Sequence, residues 1–270
     1  MILKKTVVTE ELNGVQSING TLSFQGVTLN VYSYVTDGIL IDTGGKRLQK
    51  QFAPFLLEQD YDQAWITHHH EDHTGGAAFI METRNVPVFI HKMSIEEAKG
   101  KPDYPLYRQL FWGRRKAFEA LPFSDTMKSR SATWDIIETP GHSNDHLAFL
   151  NRQTGQLFTG DLYVTPKTKV IMQDESIPTI INSLERVLTY DFEDVFCQHA
   201  GLVQNGRKLL IQKKEYLEDI QHQVLKLHDE GYSNKEIQQK LFPRKYPITT
   251  FSSGDWDSLH IIESVLVNAN

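Results

Sequence analysis

Residues 67–76 read T-H-H-H-E-D-H-T-G-G and follow directly on the apolar run 64–66. Imidazoles and carboxylates at this density are the ligand types of zinc and its first-row neighbours, so the chemistry on offer is that of a bound divalent cation. His68 and His70 stand two apart. In an extended loop their side chains leave the backbone on one side and can converge on one cation. Asp72 and His73 are adjacent and diverge, which suits a second cation beside the first. His69 points away from the cations, and His69 and Glu71 are read as structural or solvated. The helical zinc pattern H-E-x-x-H needs its histidines four apart, which this segment lacks, so a loop at a strand end with room for two metals is expected. Zinc suits mixed imidazole and carboxylate ligands best, and iron or manganese is also accepted by such a set.

Four more segments carry metal-capable or turn residues: Asp42 in L-I-D-T-G, His142 in T-P-G-H-S, Asp161 in T-G-D and His199 in Q-H-A-G. Alone, Asp42 is a turn aspartate and His142 an ordinary loop histidine. With H-x-H-x-D-H at His68, His70, Asp72 and His73 they form five ordered motifs over about residues 20–205. In that combination the chain resembles the metallo-beta-lactamase superfamily, in its glyoxalase II and lactonase-like branch. The resemblance implies an α/β fold, a metallo-beta-lactamase-like αββα sandwich, here with a helical insertion and a helical C-terminal extension. It implies two divalent metal ions, with His68, His70 and His142 holding one, Asp72, His73 and His199 the other, and Asp161 bridging them. Asp72 and Asp161 then count among the catalytic residues, and Asp42 supports the metal loop without binding the cation. Tyr163, two residues after Asp161, is a candidate for a phenol near the substrate, against the plainer reading of a packed aromatic. One departure is local: Ala200 separates His199 from Gly201, where the family commonly has glycine at once.

The elements that must position these residues follow from pattern. Residues 6–41 read as strands, with a turn at Thr36-Asp37-Gly38 and a short buried strand at 39–41 running into Asp42. Helices are expected at 48–58, with Pro54 an objection to its regularity, and at 75–82, opening on the Gly75-Gly76 pair. Strands at 63–66, 86–90, 134–138, 146–150, 156–159 and 194–197, with a helix at 177–188, complete a sheet covered by helices. His146 is read as structural. Segment 92–130 breaks the rhythm: Tyr104, Tyr107, Phe111, Trp112, Phe118 and Phe123 lie among Lys101, Arg108, Arg114, Arg115 and Lys116. It is read as a helical aromatic insertion, either a lid over the site or a small core of its own. Residues 207–229, 233–241 and 256–267 read as helices, the second capped by Ser233 with Glu236 completing a capping box, the third beginning near Asp255. The expected division is 1–206 for the metal-binding domain and 207–270 for a helical extension packed on it, supporting the lid or making a subunit contact, so that a homodimer is left open. Residues 231–237 resemble the start of a helix-turn-helix, but no cluster of base-reading residues follows.

Composition excludes several classes. The chain has 270 residues, 40% hydrophobic, with net charge -6, which argues against the broad basic surface of a nucleic-acid partner. No apolar run approaches a membrane span and residues 1–10 lack an apolar signal core, so a cytoplasmic protein is expected. The single cysteine, Cys197, excludes an internal disulfide and sits in an apolar run, as a buried strand residue does. The leading expectation is a hydrolase that attacks a carboxyl ester, thioester or lactone of a small molecule with a metal-bridging hydroxide. A phosphodiesterase or nuclease is the alternative, and would need Arg114, Arg115 and Lys116 to face the metals. A mononuclear-iron redox enzyme or a regulatory metal-binding protein is the alternative of another class.

Overall fold

The computed structural model describes residues 3–267, so the outermost residues of the expected segments 1–206 and 207–270 lie outside it. The chain opens as an antiparallel meander of β1 (Lys4–Leu12), β2 (Val15–Phe24), β3 (Val27–Thr36) and β4 (Ile39–Ile41). Its three two-residue turns, Asn13-Gly14, Gln25-Gly26 and Asp37-Gly38, hold positive φ at both positions, the geometry that matches the twist of a tight hairpin. α1 (Gln49–Glu58) then crosses to β5 (Gln63–Trp65), parallel to β4. α2 (Glu71–Thr74) and α3 (Ala77–Arg84) lead to β6 (Val88–Ile90), and α4 (Ile95–Lys99) and α5 (Leu106–Trp112) to β7 (Leu121–Pro122). These seven strands form one sheet in sequence order.

The second sheet takes β8 (Thr126–Lys128), β9 (Thr133–Glu138), β10 (Leu147–Asn151) and β11 (Leu157–Phe158). After β12 (Ile171–Met172) and α6 (Ile177–Leu188), β13 (Val195–Cys197) and β14 (Gly201–Leu202) complete it in the order β14-β13-β11-β10-β9-β8. α7 (Gly206–Asp229), α8 (Asn234–Leu241), α9 (Pro247–Phe251), β15 (Trp256–Asp257) and α10 (Leu259–Val267) follow, with β15 pairing β12.

Three apolar layers hold the sandwich. Tyr34, Trp65, Trp134, Phe149, Phe158 and Phe196 fill the space between the sheets. Leu48, Phe52, Leu56, Ala77 and Ile80 cover the outer face of the first sheet, and Ile180, Leu184, Leu217 and Ile262 belong to the cluster on the outer face of the second. β3 shows why its sequence alternates and then turns wholly apolar: Val31 and Val35 belong to the outer layer, while Tyr34 belongs to the layer between the sheets. A strand buried on both faces loses its polar side.

Three local expectations change. Pro54 lies inside α1, at a solvent-exposed position where the carbonyl it leaves unpaired is open to water. In the insertion, helices occupy 92–112 only. Its second half supplies an edge strand to each sheet, β7 and β8, because Phe123 packs between the sheets against Trp65 and Phe149. The last helix starts at Leu259, not near Asp255: the Asp257 carboxylate accepts from the Leu259 N–H at 2.9 Å, and 256–257 is a strand. Among the described residues no helix is long and apolar enough to cross a membrane.

Candidate metal centre

The metal loop leaves β5 and is anchored from behind. The Asp42 carboxylate, on a residue at φ 57°, accepts from the Thr67 N–H at 2.8 Å and the Thr67 hydroxyl at 2.9 Å, and lies 2.9 Å from His73 Nδ1. The Thr43 hydroxyl donates to the His73 carbonyl at 2.7 Å and accepts from the Gly76 N–H at 3.1 Å. The glycine pair is required there, since a Cβ at Gly75 would stand 2.2 Å from the Lys46 nitrogen and 2.7 Å from the Gly44 carbonyl oxygen. No side chain could be accommodated at Gly75 without moving the backbone of the loop that carries Asp42.

The other candidate ligands come from strand ends of the second sheet. His142 follows β9, Asp161 follows β11 and His199 follows β13. His146 fixes Asp161: its Nε2 accepts from the Asp161 backbone N–H at 2.9 Å, which leaves Nδ1–H to donate to Thr139 Oγ1 at 2.7 Å. Burial, helped by the neighbouring His142, holds the His146 imidazole at about 3, so it stays neutral and keeps that acceptor. Gly160, at φ 53°, gives the room, because a Cβ there would lie 2.4 Å from His146 Nε2.

All seven candidate ligands meet in one place, each less than a tenth exposed except His199, which is half-buried. They fall into three overlapping groups able to hold a cation: His68 with His70 and His142, Asp72 with His73 and His199, and His68 with His73 and Asp161. His70 Nδ1 lies 2.9 Å from His68 Nε2 and 3.1 Å from His142 Nε2. His73 Nε2 lies 3.8 Å from an Asp72 oxygen, and His199 Nε2 3.6 Å from the other. Asp161 spans the groups, with Oδ1 3.4 Å from His73 Nε2 and Oδ2 3.3 Å from His142 Nε2 and 2.8 Å from His199 Nε2. Bonds of about 2.0–2.1 Å at tetrahedral angles place ligand atoms about 3.3 Å apart, so the set fits divalent cations. Among the described residues, two buried atoms of the set, His73 Nε2 and Asp161 Oδ1, have no hydrogen-bond partner, as expected of atoms aimed at a cation.

The outward nitrogens of these histidines are held as metal ligands are commonly held. His73 Nδ1 meets Asp42, His142 Nδ1 lies 3.2 Å from Glu175, His199 Nδ1 meets the Asn30 carbonyl and His68 Nδ1 lies 3.1 Å from the Thr67 hydroxyl. Burial holds His68 and His70 far below the usual histidine range, with the His73 and Arg108 charges adding to it, so both are neutral. At the other three burial pulls the same way but carboxylates reverse it. Asp161, Asp72 and Asp42 raise His73 well above its ordinary value, Glu175 and Asp161 raise His142, and Asp161 and Asp72 raise His199 to about 9. A metal-free site therefore holds protons where a cation would displace them.

Beside the ligands lies a cavity of about 590 Å³, lined by His70, Asp72, His142, Asp161 and His199 on one wall and chiefly apolar side chains on the other. Tyr107, Phe111 and Trp112 of α5 belong to that wall, while Phe111, Trp112 and Phe118 are buried in the outer core, so the insertion both packs and faces the site. Arg108 ties wall to loop: its guanidinium makes a bidentate pair with Glu71, with Nε donating at 2.8 Å. Glu71 is thus 1% exposed and paired, the structural and not the solvated of the two roles the sequence suggested. His69 does turn aside, its Nδ1 2.8 Å from Asp145.

Tyr163 does not face the site. It is buried in the core beside α6 and α7, while Leu162 and Val164 on either side of it line the cavity, so the chain's alternation turns the phenol away and the packed aromatic is the correct reading. Sequence reasoning missed Glu175, Asn30, Thr67 and Lys213. Glu175 and Asn30 carry no motif, and Thr67 stands in the metal-loop motif without having been given a role. Lys213 left a signal, a charge on the apolar face of a helix.

Comparison with known proteins gives the family of the chain. The family model of the metallo-beta-lactamase superfamily matches residues 27–199. An atrochrysone carboxyl ACP thioesterase of Passalora fulva is 26% identical over 76% of this chain and 58% of its own. A probable metallo-hydrolase of Bacillus subtilis is 28% identical over 50% of this chain and 62% of its own. The chain thus spans about three fifths of the length of these relatives. A metallo-beta-lactamase family protein of Thermus thermophilus shares the fold at TM-score 0.68 and 21% identity, over 96% of this chain and 95% of that one.

Proposed function

Since this chain belongs to the metallo-beta-lactamase superfamily, whose model spans all seven ligands, we propose that it is a binuclear metal-dependent hydrolase of a small-molecule carboxyl thioester, ester or lactone. The observation that carries the proposal is the convergence of those ligands, two of whose buried atoms lack a hydrogen-bond partner, beside a largely apolar cavity. His68, His70 and His142 would hold one cation, Asp72, His73 and His199 the other, and Asp161 both. When bound, such a pair lowers the pKa of a shared water towards roughly 7 and stabilises the oxyanion formed on attack. Zinc is the cation that the donor set suits best.

The chain's own residues do the rest. Asp161 would serve both groups because its carboxylate reaches members of each, with Oδ1 towards His73 and Oδ2 towards His142 and His199. Asp42, Glu175 and the Asn30 carbonyl keep the outer nitrogens of His73, His142 and His199 engaged, so the inner nitrogens stay aimed. The wall made by α5 and residues 162–172 sets the acyl group against the ligands and displaces water from them. The thioesterase and metallo-hydrolase names of the relatives support this substrate chemistry.

A phosphodiester is disfavoured by what the basic residues of the insertion do. The Arg115 guanidinium is spent on the carbonyls of Glu97, Ala98 and Gly100, Lys116 pairs with Glu82, and Arg114 is exposed away from the cavity lining. The test is turnover of a thioester, a lactone and an aryl phosphodiester side by side, on protein of known metal content with and without chelator. Chelator-sensitive cleavage of a carboxyl substrate is expected, and cleavage of the phosphodiester alone would overturn the proposal.

A further inference from the structure

α7 buries one stripe, at Leu210, Lys213, Leu217, Ile220 and Val224, spaced three or four residues apart. Four members are aliphatic and feed the core under α6 and α10. The fifth is an ammonium, 5% exposed, on the wall of the cavity that the metal ligands line. One of its three protons goes to the Tyr163 carbonyl at 2.7 Å. Among the described residues no carboxylate oxygen lies within 4.0 Å of it. The two carboxylates whose charge it feels, Glu175 and Asp161, are engaged by the histidines. Removing an ammonium from water costs several kcal/mol unless an anion faces it. Burial draws Lys213 down to about 8, which leaves it charged at neutral pH. A methionine or leucine would complete the stripe without that cost.

We propose that Lys213 recognises a carboxylate on the acyl group, so that the substrate is a bulky, largely apolar acyl thioester or ester bearing an acidic group beyond its scissile carbonyl. The proposal rests on the hydrolase reading above. The cavity, about 590 Å³ and chiefly apolar, takes the body of such an acyl group, and Lys213 supplies a buried charge there, whereas Lys167 and Lys169 are exposed and Arg108 is paired with Glu71. Recognition through a buried charge discriminates strongly, because a neutral analogue leaves the ammonium without its partner. The competing role is structural. Lys213 could merely tether the turn at Tyr163, where Val164 holds φ 47° and the Thr165 N–H also donates to the Tyr163 carbonyl.

The experiment compares ω-carboxyacyl thioesters of graded chain length with their ω-methyl esters, on wild type, Lys213→Gln and Lys213→Met. Glutamine keeps a donor for the Tyr163 carbonyl and removes the charge, while methionine removes both. Wild type should favour the acid at one chain length by roughly 10- to 100-fold in kcat/KM, the scale of one hydrogen bond to a charged group. Both variants should lose that preference, chiefly through KM. Thermal melts give a second readout: Lys213→Met should melt no lower than wild type, whereas a tether predicts a lower melting temperature. Retention of the preference in Lys213→Gln would overturn the proposal, as would hydrolysis of every thioester with no preference at any length. If no thioester is cleaved, the hydrolase reading fails instead. Calorimetry of the ω-carboxylates on chelator-treated protein then decides about Lys213: a tenfold weaker Kd in Lys213→Gln supports the proposal, and equal affinities overturn it.

Discussion

Two walls face each other across the cavity, and they are built on different physics. The metal wall consists of polar groups that are buried and fixed by directed hydrogen bonds: Asp42 to Thr67 and His73, Thr43 to Gly76, His146 to Asp161. The opposite wall is chiefly aromatic and aliphatic surface from α5, from residues 162–172 and from the C-terminal helices, held by packing. Directed bonds demand particular residue types at particular positions, whereas packing demands only shape and volume. The metal wall therefore tolerates little change, and the apolar wall is where a substrate preference can be altered without dismantling the chemistry. Four cationic residues interrupt the second wall: Lys167 and Lys169 are exposed, whereas Arg108 and Lys213 are not. Arg108 is tied to the metal loop through Glu71, and among the described residues no carboxylate oxygen lies within 4.0 Å of Lys213.

The largest effect should come from the metal wall. Asp161→Ala removes the group that spans the ligand sets and should lower kcat/KM by about a thousandfold or more, several kcal/mol of transition-state stabilisation, in a protein whose circular dichroism is unchanged. Full activity would end the bridging role and with it the contrast between the walls.

The link between the walls comes next. Arg108→Met leaves Glu71, 1% exposed, without its counter-charge and should destabilise the protein by about 3 kcal/mol in urea unfolding. Adding Glu71→Gln should recover part of the loss. If the double variant is no better than the single one, the pair is not what joins α5 to the loop.

Support of the loop is worth less. Asp42→Asn should weaken metal binding by about 10- to 100-fold in competition with a chromophoric chelator. His69→Ala, whose ring is turned to Asp145, should keep its metal content. Loss of metal from the His69 variant would show that the wrong histidines were assigned.

The smallest effect concerns pH. Burial alone would raise the Asp145 carboxyl, but His69, Ser94 and Ser143 hydrogen-bond to it and hold it well below the usual carboxylate range. A carboxyl depressed in the folded state contributes stability above its unfolded pKa, about 3.9, and loses that contribution as pH falls through the folded value. Asp145→Asn should therefore cost about 1–2 kcal/mol at pH 7 and progressively less below pH 4. A difference that does not shrink in acid would mean that Asp145 acts through shape and not through charge.

The contrast between the walls also explains what the sequence discloses. His68, His70, Asp72 and His73 are legible because one loop carries them, and His142, Asp161 and His199 because each ends a short apolar strand in a glycine-bearing turn or beside one. The hairpin of β3 and β4 is legible because the Asp37-Gly38 turn punctuates it. The apolar wall is legible only where α5 carries Tyr107, Phe111 and Trp112, because Val164, Ile171 and Trp256 are far apart in sequence and meet them only through tertiary packing. Residues 121–128 look irregular for the same reason, since each of their two short strands is specified by the sheet edge it joins. Nearness to Asp161 in sequence is a poor guide to Tyr163, because the facing of Leu162 and Val164 decides its direction.

The most direct test of the central claim is elemental analysis of protein dialysed against zinc, paired with stepwise chelation while thioester turnover is followed. The account predicts two cations bound per chain and loss of turnover as they are withdrawn. Turnover that persists in protein stripped of metal would contradict it.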